Sequence, residues 1–227
     1  MTMLGAKSGS NTVEMFSGSP GREPKQEWIG EAAVVLRDFA AAEENALLAE
    51  LEKVIAAAPF RHMVTPGGFT MSVAMTNCGD YGWVSDRKGY RYASRDPQSG
   101  EPWPAMPEAF LALAKNAAAA AGFDGFDSDV CLVNRYEPDA KLSLHQDRDE
   151  LDFDHPIVSV SLGVPAVFLF GGLKRSDRPR RISLVHGDVV VWGGPDRLRY
   201  HGVMPLKEDV HPLLGKRRIN LTFRKAR

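Results

Sequence analysis

Cysteine is scarce in this chain. Only Cys78 and Cys131 occur among 227 residues, far apart and without the close spacing of a metal site. That leaves no material for a disulfide-built scaffold and points to a reducing, intracellular compartment. Long apolar runs are missing too. No stretch approaches the roughly 18 apolar residues of a membrane-crossing helix. The opening "MTMLGAKSGSNTVEMFSGSPGREPKQ" has no apolar centre of the kind a signal peptide needs. It is rich in Ser, Gly and Pro and reads as a flexible tail over residues 1–27. An excess of charge of one sign is also absent, the net charge being −1.

That balance hides clustering. Residues 174–181, "KRSDRPRR", carry five basic residues and one acid, and residues 216–227 carry six basic residues and no acid. Residues 137–154 hold seven acids and two bases. Each run alone reads as a solvated loop. Together they suit a protein that holds a cation in one place and phosphates in another. The length fits one large domain or two small ones, and 44% hydrophobic residues give an ample core.

"EAAVVLRD" (31–38) reads as a first strand, and residues 40–58 as a helix with Leu47, Leu51, Val54 and Ile55 at helical spacing, Asp38 near its start and Pro59 at its end. A second helix is predicted over 107–122, from Pro107 to Gly122. Between them, residues 60–106 have paired Gly, many Met and aromatics, and little helical period; they read as short strands and a lid. After Gly122, seven strand-like segments separated by turn signals predict an antiparallel sandwich or barrel such as a jelly roll.

One of those segments, "KLSLHQD", sets His145 two residues before Asp147. On a strand, residues two apart share a face, with Ser143 on that face as well. An imidazole and a carboxylate at one point can be a hydrogen-bonded couple, a general-base pair or two metal ligands. On spacing alone the structural hydrogen bond is the commoner explanation. A third ligand would complete a two-histidine, one-carboxylate site, the arrangement of non-haem iron(II) oxygenases. His201, in the late strand "RLRYHGV", is the favoured candidate. In "RRINLTFRK", Ile219, Leu221 and Phe223 alternate with Arg218, Asn220, Thr222 and Arg224. A solvent face would look the same, but two guanidinium forks on one face also suit a dicarboxylate such as 2-oxoglutarate.

With these residues in place, the chain from Trp28 to Lys225 resembles the AlkB family of iron(II)- and 2-oxoglutarate-dependent DNA dealkylases. The strings that carry the resemblance include "MVTPGGFTMSVAMTNCG", "PWPAMP", "NRYEPDAKLSLHQDRDE", "PIVSVSLG", "FGGLKR", "HGDVVVWGG" and "NLTFR". The resemblance implies an α+β, mainly β fold: a double-stranded β-helix (jelly roll) with N-terminal helices and a flexible nucleotide-recognition lid. It implies one dioxygenase domain over 28–227, with the lid at about 60–106 and the catalytic core at about 123–227. The implied iron ligands are His145, Asp147 and His201. The implied 2-oxoglutarate contacts are Asn134, Tyr136, Arg218, Asn220 and Arg224, with Arg224 on the carboxylate beside the keto group and Arg218 on the distal one.

The implied reaction uses Fe(II), 2-oxoglutarate and O2 to remove methyl groups from 1-methyladenine and 3-methylcytosine in DNA, mainly single-stranded but also duplex, releasing succinate, CO2 and formaldehyde. RNA is an alternative substrate, and a non-catalytic sensor of alkylated bases is the rival reading. The flipped base would lie between Trp83 and His145, with Met75 and Tyr90 lining the pocket and Asp149 and Glu150 as acidic neighbours of a cationic base. Thr65, Lys141, Gln146 and Arg175 are candidates for phosphate or sugar contact. The expected setting is cytoplasmic and monomeric, with no membrane partner. Two departures stand out. Phe69 replaces a family Tyr in the lid and loses its phenolic hydrogen bond. Ile219 also replaces a Tyr, on the apolar face of its strand, and should be neutral.

Overall fold

The computed structural model describes residues 25–227. The expected tail, 1–27, lies almost wholly outside the described residues. Its last three positions are the exception: after Lys25, Gln26 and Glu27 open strand β1 (Gln26–Trp28), which pairs with β2 (Ala33–Leu36). A single-turn helix at Ala41–Glu43 leads into helix α1 (Glu44–Ala57). Then come β3 (Arg61–Val64), β4 (Thr70–Gly79), β5 (Gly82–Asp86), β6 (Gly89–Ala93) and helix α2 (Glu108–Ala120). The rest is β-structure: β7 (Val130–Tyr136), β8 (Leu142–His145), β9 (Ile157–Gly163), β10 (Ala166–Phe170), β11 (Arg180–Leu184), β12 (Val189–Trp192), β13 (His201–Val203) and β14 (Arg218–Arg224).

Both predicted helices form, each slightly shorter than expected. Asp38 does not cap α1. It adopts a left-handed φ of 60°, and its backbone N–H donates to the Asp188 carboxylate at 3.1 Å. Gly122, with φ 86°, follows the end of α2, a conformation open to a residue without Cβ.

The strands form two facing antiparallel sheets of a double-stranded β-helix. The major sheet runs β1-β2-β12-β9-β14-β7-β4-β3, the minor sheet β11-β10-β13-β8, and β5-β6 is a separate hairpin. The major sheet is covered on both sides. Leu47, Leu51, Phe110 and Leu113 of the helices pack on one face against Val133, Val158, Val160, Leu221 and Phe223. On the other face Val35, Met75, Tyr136 and Trp192 meet Phe168, Phe170 and Val203 of the minor sheet. Every residue of β14 is consequently buried. Its polar face is turned inward, between the two sheets, rather than to water. Ile219 sits in the helix-side core, as its position on the apolar face required.

The 60–106 segment is not one lid. Strand β4 pairs with β7 from Ala74 to Gly79 and belongs to the major sheet. What stands apart is the β5–β6 hairpin and the β3–β4 loop around Phe69. The strands of the major sheet also extend beyond 123–227, because β1 to β4 supply four of its eight members.

Candidate active site

Strand β8 ends at His145, and Asp147 lies just beyond it in irregular chain. Asp147 falls past the end of the strand, yet its carboxylate and the His145 imidazole converge as expected. Two contacts hold this segment. Arg197, itself buried, donates from Nη1 to the Asp147 carbonyl at 2.9 Å. Gln146 Nε2 donates to the Leu198 carbonyl at 2.6 Å.

His201 opens β13 and is the direct cross-strand partner of His145. The imidazole Nε2 of His145 lies 3.5 Å from Asp147 Oδ1, and that of His201 lies 3.7 Å from Asp147 Oδ2. The three ligand atoms all fall within 4.8 Å of one another. Each ring is oriented through its other nitrogen. His145 Nδ1 meets the Ser143 carbonyl at 2.9 Å, and His201 Nδ1 meets the Arg199 carbonyl at 3.0 Å. A carbonyl can only accept, so both Nδ1 atoms carry the proton and both Nε2 lone pairs face the cluster. Two imidazoles and one carboxylate form a donor set suited to a first-row divalent metal, with coordination positions left for other ligands.

Beside the cluster, the inner faces of β14, β9 and β7 present polar groups. Arg224 donates to Asp147 Oδ2 from Nε at 2.8 Å and Nη2 at 2.6 Å, and its Nη1 is buried without a partner. Arg218 donates from Nη2 to Ser161 Oγ at 2.9 Å and lies over the Tyr136 ring. Its Nε and Nη1 are buried with no partner, as is Asn134 Oδ1. Asn220 is held by Ser159 Oγ and the Val160 carbonyl.

Electrostatics follow from this packing. Burial, with no carboxylate in contact, lowers the Arg218 pKa from its usual value. Burial opposes ionisation of Asp147 as well, but the Arg224 guanidinium and then His201 outweigh it and hold the carboxyl well below its ordinary range. Burial works against the Arg224 charge, yet Asp147, Tyr92 and Glu150 raise its pKa. Unpartnered buried guanidinium N–H groups are costly unless an anion meets them. A small dicarboxylate would supply the missing acceptors, so the residues present fit both a divalent cation and a keto diacid.

The cluster opens into a cavity of about 770 Å³. Of the residues expected to meet substrate, Thr65, Met75, Trp83, Tyr90, Lys141, Gln146, Asp149 and Arg175 all line it, together with Phe69. Trp83 and Tyr90 stack with ring centres 5.6 Å apart on the β5–β6 hairpin. The buried Asn77 fixes that hairpin, bonding both the N–H and the carbonyl of Trp83 at 3.0 Å. The indole Nε1 donates to Asp149 Oδ2 at 3.0 Å.

Glu150 is the exception. It does not line the cavity and its side chain is 1% exposed. It turns inward to Tyr92 and Arg197, so the expected contact with a base is corrected to a buried ionic role. Sequence reading missed Ser159, Ser161, Tyr92 and Arg197. The two serines were detectable, since they alternate with Val158, Val160 and Leu162 in "PIVSVSLG" as the β14 polar residues do. Tyr92 and Arg197 reach the site from far along the chain and carry no local signal.

Comparison with known proteins agrees with this geometry. The family model "2OG-Fe(II) oxygenase superfamily" matches residues 32–224. "Alpha-ketoglutarate-dependent dioxygenase AlkB" of Salmonella typhimurium is 60% identical over 203 residues, covering 89% of this chain and 94% of that protein. The protein of the same name from Escherichia coli K12 is 58% identical over 204 residues, covering 90% and 94%. Among solved structures, "The structure of OsALKBH1" superposes with a TM-score of 0.76 at 29% identity, covering 88% of this chain and all of that one.

Burial, followed by the neighbouring His201, pushes the His145 pKa down to about 4. The unfolded imidazole, near 6.5, therefore binds a proton that the folded one refuses. Stability of the metal-free protein should fall as pH drops from about 6.5 to about 4. His145→Asn should flatten that limb, as read by urea unfolding at several pH values. Parallel profiles for the two proteins would contradict the assignment.

Proposed function

The chain belongs to the 2OG-Fe(II) oxygenase superfamily, and from that membership we propose that it repairs alkylated DNA by oxidative removal of N-methyl groups, with 1-methyladenine and 3-methylcytosine as substrates. The activity of the superfamily depends on iron(II), 2-oxoglutarate and O2. The observation that carries the reading to this chain is the adjacency of the His145–Asp147–His201 cluster and two buried arginines with unpartnered N–H groups.

His145, Asp147 and His201 would hold the iron, their two Nε2 lone pairs and carboxylate being the donors turned to the cluster. Arg224 and Arg218 bind the two carboxylates of 2-oxoglutarate, and Asn134, Tyr136 and Asn220 complete its polar surroundings. Bound iron supplies the oxidising chemistry by which O2 and 2-oxoglutarate, leaving as succinate and CO2, hydroxylate the N-methyl carbon. The hydroxymethyl base then collapses to formaldehyde and the unmodified base. The protein's own work is to orient the reactants and exclude water. The buried inner faces of β7, β9 and β14 provide the dry wall.

The target base must leave the stack to enter the cavity. Trp83 receives it by stacking, and a cationic methylated base over an indole gains about 0.5–2 kcal/mol. Asp149 offers a carboxylate on the cavity wall beside that indole. Thr65, Lys141, Gln146 and Arg175 lie toward the phosphates or sugars of the strand. RNA carrying the same bases is chemically acceptable to such a pocket. Among the described residues no helix is long and apolar enough to cross a membrane, and we assign the protein to the cytoplasm as a monomer.

Formaldehyde release from methylated single-stranded DNA and RNA, with and without 2-oxoglutarate, tests the reaction. His201→Ala should lose release by at least about 100-fold, because a ligand is gone, while the β-fold persists by circular dichroism. Turnover that persists in His201→Ala would remove that residue from the ligand set. Binding of methylated DNA without any release would favour a sensor.

The Trp83–Asp149 hydrogen bond gives Asp149 two tasks, tethering the indole and meeting the base. Trp83→Ala should weaken every substrate, by about 1–3 kcal/mol of lost stacking. Asp149→Ala should reduce neutral lesions such as 3-methylthymine modestly, through the loosened indole, and cationic lesions more. Specificity constants on four methylated oligonucleotides check this, and an equal loss across all four would leave Asp149 only the tethering task.

A further inference from the structure

Behind the cavity lies a buried ion pair, Glu150 and Arg197, that the reaction does not touch directly. Glu150 Oε2 is 3.3 Å from Arg197 Nη2, and both side chains are almost fully enclosed, 1% and 3% exposed. Glu150 Oε1 accepts a hydrogen bond from the Tyr92 hydroxyl at 2.6 Å and lies 3.5 Å from Arg224 Nε. Arg197 grips the Asp147 backbone carbonyl, and Arg224 grips the Asp147 carboxylate. Asp147 is thus held from both ends by two arginines, and Glu150 bridges the pair. The two guanidiniums and two carboxylates sum to zero charge. Tyr92 is the cross-strand partner of Trp83 in the β5–β6 hairpin. The hairpin is therefore hooked to consecutive acids, Trp83 to Asp149 at the cavity wall and Tyr92 to Glu150 beneath it.

We propose that Glu150, fixed by Tyr92, is a positioning residue that balances the charge around Asp147 and limits how far Arg224 is drawn from its carboxylate partners. The proposal rests on the reading of His145, Asp147 and His201 as the cation set and of Arg224 as a keto-acid anchor. Without the Glu150 charge, two guanidiniums face one carboxylate. Asp147 is then bound up in ion pairs, and a net positive charge sits beside the incoming dication. The same surplus attracts a dianion. Without the Tyr92 hydroxyl, by contrast, Glu150 keeps its charge but gains a free oxygen, whose nearest cation is Arg224. Closing on Arg224 pulls that guanidinium away from the keto acid. The two ends of one hydrogen bond therefore have different effects on the two ligands, which mere packing damage would not produce.

The test is titration of the full-length protein with Mn(II), and of the Mn(II)-saturated protein with 2-oxoglutarate, by calorimetry, with melting temperature as a fold control. Glu150→Gln should weaken Mn(II) about tenfold without weakening 2-oxoglutarate. Tyr92→Phe should leave Mn(II) within about twofold and weaken 2-oxoglutarate about fivefold. Unchanged Mn(II) affinity in Glu150→Gln overturns the proposal, as does parallel loss of both ligands with a lowered melting temperature. Should Glu150→Gln not fold, Tyr92→Phe decides alone, and unchanged 2-oxoglutarate affinity overturns the proposal. If the unsubstituted protein binds neither ligand, the reading of the site fails and the proposal with it. If it binds both and neither variant responds, only the proposal falls.

Discussion

The inner face of β14 is the constraint on which the rest depends. Arg218, Asn220, Thr222 and Arg224 are buried on a strand whose other face, Ile219, Leu221 and Phe223, packs on the helices. A strand enclosed on both sides is ordinarily apolar on both. Here one side is polar, and its charges must be met. Asp147 meets Arg224, while Arg218 keeps two N–H groups without an acceptor. Such groups destabilise a free protein by an amount on the order of 1–3 kcal/mol each. Their retention makes sense where a ligand completes them. The site is stored as unsatisfied polarity inside an otherwise tightly packed sheet.

The remaining architecture serves that face. The minor sheet sets His145 and His201 on adjacent strands, opposite β14 across the cavity. The chain after β8 sets the Asp147 carboxylate beside both imidazoles, held by Arg197 and Arg224. The major sheet is backed by its helix layer, and the β5–β6 hairpin adds an aromatic wall to the cavity. The cation cluster is thus carried by paired strands, and the aromatic wall of the cavity by a hairpin outside both large sheets.

Much of this was legible in the chain itself. Alternation in "RRINLTFRK" separated the helix face of β14 from its ligand face, and His-x-Asp with a later His named the cluster that the fold brings together. Other features were opaque because they depend on long-range contacts. Residue spacing alone could not tell that β8 stops at His145, since the chain beyond it is held by Arg197, fifty residues on. Glu150 reads as an acidic neighbour of a cationic base, and only Tyr92 and Arg197 show it to be a buried counter-ion. Residues 60–106 lack helical period and read as short strands and a lid, with nothing to mark which strand belongs to the core; β4 does, through its pairing with β7. The short β1 had no signal beyond its polar surroundings and forms by pairing with β2.

The central claim, that a buried guanidinium is kept for a ligand rather than for the fold, is most directly tested with Arg218→Met. This change keeps an unbranched, buried side chain and removes the unmet charge. Calorimetric titration of the Mn(II)-loaded protein with 2-oxoglutarate should show affinity lower by roughly 10–100-fold, with a melting temperature of the free protein equal to or above that of the unsubstituted chain. A variant that binds 2-oxoglutarate as tightly as before would contradict the account.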